Sequence, residues 1–276
     1  MVDGGAALVF PILAKTLSLN YSAVEGKLGA EFLGDYSSDI HMLFWSVLEH
    51  GLELVQHSLS DISGHFTLEN NIPIGSGMGA SAALCVAVTR WLIWKNLIKG
   101  SELSHFAQRL ENLFHSRSSG LDIAGTQYEH GLIFQQGEIQ PLPLSWQPIW
   151  TLSFSGQIGI TSHCVKKVQN LRQNNGKQAQ KIYDKMLASV KQASQALAMP
   201  ESKESLDKLA GAINTANQCF SDWDLAGGHV AQHINTLREA GAIAAKPTGS
   251  GDGGYVLSLW QSEPDCSELG IELLRV

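Results

Sequence analysis

From residue 38 to about 57, Ile40, Leu43, Phe44, Val47, Leu48, Leu52 and Val55 recur every three or four positions, which is the spacing of one buried helix face. A denser apolar run, residues 80–94, predicts a helix buried on most sides. Beyond it Leu103, Phe106, Ala107, Leu110, Leu113 and Phe114 trace one more stripe, with Ser101 placed to cap it. Between these helices short runs predict strands: residues 6–12 (a buried strand after Gly4-Gly5), 16–24, 27–32 and 66–68. The alternation resumes at residues 131–134 and 138–139. A proline-containing connection follows, residues 141–148, and predicts a boundary between domains 1–145 and 146–276. The second half opens with a strand, 150–154, and a glycine-containing turn, 155–161; Thr161 and the next residue, Ser162, are expected in a turn. A long polar helix, 177–198, keeps Ile182, Met186, Val190, Ala193 and Leu197 on one side. Helices at 206–220 and 226–240, a strand at 241–245, a glycine-rich loop at 246–254 and a strand at 255–260 complete the pattern. No internal repeat is present.

Composition narrows the class. The chain has 276 residues, 44% of them hydrophobic, enough for one large or two modest cores. A net charge of −7 argues against nucleic acid as the main partner. The run 80–94 is broken by Arg90 and too short to span a bilayer, so no membrane role is expected. The N-terminus has no basic segment of a secretory signal, and the cytoplasm is the expected compartment. Cys85, Cys164, Cys219 and Cys266 are widely spaced, as in reduced thiols, and none of the ten histidines forms a metal pattern with nearby cysteines.

Three polar stretches carry candidate chemistry. In residues 71–83, Gly75, Gly77 and Gly79 alternate with Ser76 and Met78 directly before a predicted helix. Alternate glycines permit positive φ and let a ligand reach the backbone. A helix start adds unpaired N–H groups and roughly half a positive charge, which suits a phosphate. By itself the stretch reads equally as a structural turn. Glu111 falls beside the apolar stripe of its helix, so it is partly buried and needs a cation, a metal or a donor; a local salt bridge at the core edge is the plainer reading. Asp122 lies in a polar turn before small residues, where an Asp caps a helix or points into a site. A Walker motif is absent, and the formal G-x-G-x-x-G of Gly249, Gly251 and Gly254 precedes a strand, so neither pattern defines a nucleotide fold.

Taken together, these stretches resemble the GHMP kinases. Residues 73–83 are similar to that family's P-x-x-x-G-L-G-S-S-A loop, and residues 249–254 to its C-terminal glycine-rich motif. Glu111, His115, Ser119, Gly120 and Asp122 resemble the E-x-x-x-H-G-x-P-S-G-x-D segment of its mevalonate kinase branch. The resemblance implies an α+β, two-lobed GHMP kinase fold. Its N-terminal lobe would be ribosomal protein S5 domain 2-like and its C-terminal lobe ferredoxin-like. It implies ATP held by Pro73, Gly75, Ser76, Gly77, Met78, Gly79, Ala80 and Ser81, with Gly249, Ser250 and Gly251 from the second loop. Mg²⁺ would be held by Ser81 and Glu111, and Asp122 would be the catalytic carboxylate. The implied reaction is phosphorylation of a small hydroxyl substrate, mevalonate, at the head of isoprenoid synthesis. Phosphomevalonate or another small metabolite is the alternative substrate, and a non-catalytic nucleotide-binding relative the alternative role. A homodimer is one assembly it permits.

Departures from the family pattern are also legible. The first Ser of the loop triplet is Ala80, and His-Gly-x-Pro-Ser becomes His115-Ser116-Arg117-Ser118-Ser119. Arg117 is a candidate for a substrate phosphate, against the plainer reading of a surface salt bridge. The family begins with a lysine-bearing strand and a G-E-H turn; Met1-Val2-Asp3-Gly4-Gly5 resembles only the end of that turn. The expectation is a functional start roughly 15 residues or more upstream, the reach of one strand and turn.

Overall fold

A computed structural model describes residues 4–114, 118–265 and 270–276. The chain forms two compact units, residues 11–129, and residues 1–10 together with 130–276. The second unit takes its first strand, β1 (Ala7–Val9), from the N-terminal segment.

In residues 11–129, strands β2 (Leu17–Ser22) and β3 (Gly29–Leu33) lead into helix α1 (Ser37–Leu54), which crosses to strand β4 (His65–Asn70). β4 is the central strand, antiparallel to β2 and parallel to β3. The period of two decides the faces: Leu17, Leu19 and Tyr21 turn to the core, while Ser18, Asn20 and Ser22 are exposed. Phe66 is buried between Phe44 of α1, at 5.2 Å between ring centroids, and Trp91 of helix α2 (Ala80–Trp94), at 5.0 Å. Each such ring contributes about 1.5–3 kcal/mol by leaving water. Helices α3 (Leu103–Glu111) and α4 (Leu121–Gly125) pack against α2.

One glycine in this unit is required by space. Gly34 has φ +91°, and a Cβ there would land on the Asn70 carbonyl oxygen at the end of β4. Both the conformation and the contact oppose a side chain. Gly34→Ala is expected to remove at least about 2 kcal/mol of unfolding free energy, read by urea denaturation; an unchanged midpoint would contradict this packing.

The other unit holds two sheets. β1, β5 (Leu132–Gln135) and β6 (Glu138–Pro141) form an antiparallel sheet with β5 central. β7 (Ile149–Phe154) is followed by helices α5 (Thr161–Asn174), α6 (Gly176–Ala198), α7 (Lys203–Asp222) and α8 (Gly228–Glu239). β8 (Ala244–Pro247), β9 (Tyr255–Trp260) and β10 (Leu274–Arg275) then complete a sheet of order β10-β7-β9-β8. Residues 141–148 lie inside this unit. Among the described residues no helix is long and apolar enough to cross a membrane. Cys85, Cys164 and Cys219 are free and buried; Cys266 lies outside the described residues.

Several local expectations are corrected. The segment expected as a buried strand is only half-buried, because β1 is an edge of its sheet. Ser101 does not cap α3. A 3₁₀ turn, Gly100–Glu102, precedes that helix, and the Glu102 carboxylate accepts the Lys99 N–H at 3.0 Å. Leu113, read as part of the apolar stripe, is 45% exposed, since α3 ends at Glu111. Thr161 and Ser162, expected in a turn, begin α5.

Candidate active site

The entrance to the first glycine loop is fixed by two asparagines. Asn70, fully buried, accepts from Ile72 N–H at 3.2 Å and donates to the Ile72 carbonyl at 3.0 Å. Asn71 accepts from Thr16 N–H at 2.6 Å and donates to the Ala14 carbonyl at 3.3 Å. Within the loop Gly75, Gly77 and Gly79 have φ of +75°, +80° and +73°, the left-handed values that their spacing allows. Ser76 is buried, and its hydroxyl donates to the Pro73 carbonyl at 2.8 Å, closing the turn from inside. A Cβ on Gly75 or Gly77 would meet nothing within 4 Å, so that backbone is open to a ligand.

Gly79 is the N-cap of α2, followed by Ala80 (buried) and Ser81 (half-buried) in the first turn. A Cβ on Gly79 would lie 3.9 Å from the Asp122 Cβ, which places the glycine loop against the start of α4. Asp122 is exposed and sits in the first turn of α4. It is not the cap of that helix: Gly120, at φ +78°, takes that position, because the 118–121 turn needs a left-handed residue there.

Glu111 ends α3 and is 2% exposed. Ser118 donates its hydroxyl to Glu111 Oε2, while Glu111 Oε1 is buried with no hydrogen-bond partner among the described residues. Burial pushes the Glu111 carboxyl up from 4.5 to about 7; the Ser118 bond pulls it down, and the Asp122 charge adds to the rise. Cys85 lies one turn beyond Ser81 on the same face of α2. Its thiol is raised by burial first and then by the Glu111 charge, so that face looks toward the carboxylate. Loop, Ser81 face, Glu111 and Asp122 therefore belong to one constellation inside residues 11–129.

Sequence reasoning passed over the scaffold that holds Glu111. Ser118 N–H donates to Asn112 Oδ1 at 2.8 Å, Gln108 donates to the Ser118 carbonyl at 2.9 Å, and Gly120 N–H donates to the Ser118 hydroxyl at 3.0 Å. No periodic signal marks these residues, since each acts through a turn. His115, Ser116 and Arg117, singled out from the sequence, lie outside the described residues.

The second glycine loop joins β8 to β9. Gly249 has φ +59° and open space where a side chain would stand, and Ser250 is half-buried. Gly251 is buried; a Cβ there would come within 2.7 Å of the Leu225 carbonyl oxygen and 2.9 Å of the Phe220 ring.

The fit of a divalent cation rests on Glu111. Among the described residues no group of three His, Cys, Asp or Glu side chains could cage a metal. Mg²⁺, however, is commonly bound through one or two carboxylates together with substrate phosphates and water. A buried carboxylate oxygen without a partner among the described residues, held near an Asp and a Ser-bearing helix start, fits that mode.

Residues 43–129 match the family profile described as GHMP kinases N terminal domain. Over those residues the chain is similar to the GHMP kinases. Its relatives include the mevalonate kinase of Pyrococcus horikoshii, 29% identical over 251 residues that cover 89% of this chain and 73% of the relative. The fold matches the crystal structure of L. major mevalonate kinase in complex with R-mevalonate, with a TM-score of 0.80 and 22% identity over 95% of this chain and 82% of that one. It also matches Streptococcus pneumoniae phosphomevalonate kinase in complex with phosphomevalonate and AMPPNP, at a TM-score of 0.71, 17% identity, and 99% and 94% coverage. The mixed helix-and-sheet GHMP kinase architecture is thus the fold of this protein.

Proposed function

We propose that this chain is a small-molecule kinase that transfers the γ-phosphoryl group of ATP to the hydroxyl of mevalonate, giving ADP and 5-phosphomevalonate. The observation that carries the reading is Glu111, buried with one carboxylate oxygen unpartnered among the described residues and set close to Asp122 and the glycine loop. A core does not retain such a group for stability. The relatives named mevalonate kinase give the substrate.

The N–H groups of residues 75–81, at the start of α2, would cradle the phosphates of ATP, with Gly75 and Gly77 leaving the approach clear. Pro73 and Ser76 shape the turn from inside, and Met78 and Ala80 lend their backbone. Gly249, Ser250 and Gly251 are assigned to the nucleotide on the family resemblance. Asp122 would accept the proton of the substrate hydroxyl as its oxygen bonds to the γ-phosphorus and the bond to ADP breaks. Glu111 and Ser81 would hold Mg²⁺, which offsets charge on the phosphoryl oxygens when bound. Chemistry of this kind is mostly positioning, and the hydrogen bonds that join Gln108, Glu111, Asn112 and Gly120 to Ser118 supply it.

A coupled assay of ADP release against mevalonate, phosphomevalonate, homoserine and galactose tests the reading. Turnover is expected with mevalonate and at least tenfold lower efficiency with the others. Preference for phosphomevalonate would favour the second reading, which the likeness to the pneumococcal enzyme supports. ATP binding without turnover of any of the four would remove the catalytic one.

A further inference from the structure

Three residues on one face of α5 meet three consecutive residues of the second glycine loop. Thr161 Oγ1 lies 3.4 Å from Ser250 Oγ, Cys164 Sγ donates to the Gly251 carbonyl at 3.4 Å, and Lys167 Nζ lies 3.1 Å from Asp252 Oδ2. Positions three apart share a helix face, so α5 runs along the loop as a ledge. Lys167 reaches further. It also pairs with Asp224 Oδ2 at 3.2 Å and donates to the Asp224 carbonyl at 2.9 Å.

The two aspartates that Lys167 joins are both unusual in backbone. Asp224 and Asp252 each have φ +59°, a region uncommon for residues other than glycine. Asp252 N–H donates to the Leu225 carbonyl at 2.6 Å, and Gln157 donates to the Asp252 carbonyl at 3.0 Å. Gly253 then passes so close to residues 157–159 that a Cβ would sit 2.5 Å from Gly159 N. The loop is therefore anchored at residues 251–254, while Gly249 has open space. With Lys167 removed, two carboxylates would face one another across the gap its ammonium fills, and like charges in one place repel.

We propose that Lys167 is a positioning residue for the nucleotide. By clamping Asp252 to Asp224 it holds the 249–254 loop in one conformation and presents the backbone of Gly249 and Ser250 ready for a phosphate. The proposal rests on the assignment of that loop to ATP. The pairs are partly solvated, with Lys167 36% and Asp252 29% exposed at the side chain. Their loss is therefore expected to cost a modest factor, about three- to tenfold.

Two readings on Lys167→Met, Asp252→Asn and Lys167→Arg test it. Amide hydrogen exchange over residues 249–254 in the nucleotide-free protein is expected to quicken in Lys167→Met and Asp252→Asn and to stay slow in Lys167→Arg. KM for ATP is expected to rise about three- to tenfold in the first two variants, with KM for mevalonate and kcat within twofold of the parent. Unchanged exchange, or a KM for ATP equal to the parent's, would overturn the proposal while leaving the kinase reading in place. A parent chain that turns over no hydroxyl acceptor would fail the kinase reading itself, and with it the catalytic purpose of the clamp; exchange would still report whether the clamp exists.

Discussion

Asp122→Asn is expected to lower kcat for mevalonate phosphorylation by about 10²–10⁴, the range for losing a positioned general base. Asp122 is exposed in the first turn of α4, with its Cβ against the space beside Gly79. An amide there keeps the size and removes the proton acceptor. Two further effects bound the result. The fold should survive, because Gly120 rather than Asp122 caps α4. The Glu111 carboxyl should move down, because the Asp122 charge contributes to its rise. Thermal unfolding and ATP affinity measured beside kcat separate loss of chemistry from loss of structure, and a variant as fast as the parent would remove Asp122 from the reaction.

The second large effect concerns stability and Glu111. The folded chain holds this carboxyl at about 7 against an ordinary 4.5, burial being the main cause. Between those values the folded protein retains a proton that the unfolded chain releases. The stabilisation is thus complete below about 4.5 and is lost as pH rises through 7, a swing on the order of 3 kcal/mol. Denaturant midpoints of the protein free of metal and nucleotide are expected to fall between pH 5 and pH 8. Glu111→Gln should flatten that fall, because its amide does not ionise. Mg²⁺ with nucleotide should restore stability at pH 8 to the parent and not to the variant, since binding that is specific to the folded state stabilises it. Parallel pH profiles for the two proteins would contradict the burial of Glu111 as its controlling feature.

How much of this was legible in sequence follows from the forces behind each element. Helix α2 runs over residues 80–94 as its apolar run predicts, because the left-handed Gly79 sets its start and burial of both faces fills the rest with apolar residues. Glu111 is legible as a carboxylate at a core edge because helical spacing places it one turn from Ala107 and near Phe114. Its lock to Ser118 is not, since the bond joins residues seven positions apart, a spacing that no periodicity describes. Helix α5 escapes the pattern for a plain reason: Cys164 is its one buried residue, so it has no apolar stripe to read. The clamp by Lys167 is equally silent, for it joins residues 57 and 85 positions away. The N-terminal strand misled in the opposite sense, since its apolar run reads as buried although it lies at a sheet edge.

The central claim, phosphoryl transfer from ATP to the mevalonate hydroxyl, is tested most directly by ³¹P nuclear magnetic resonance of the chain with mevalonate, ATP and Mg²⁺. The expected result is a new phosphomonoester resonance growing in step with ADP, absent without mevalonate and suppressed in Asp122→Asn. ADP accompanied by inorganic phosphate alone, or ATP left intact, would contradict it.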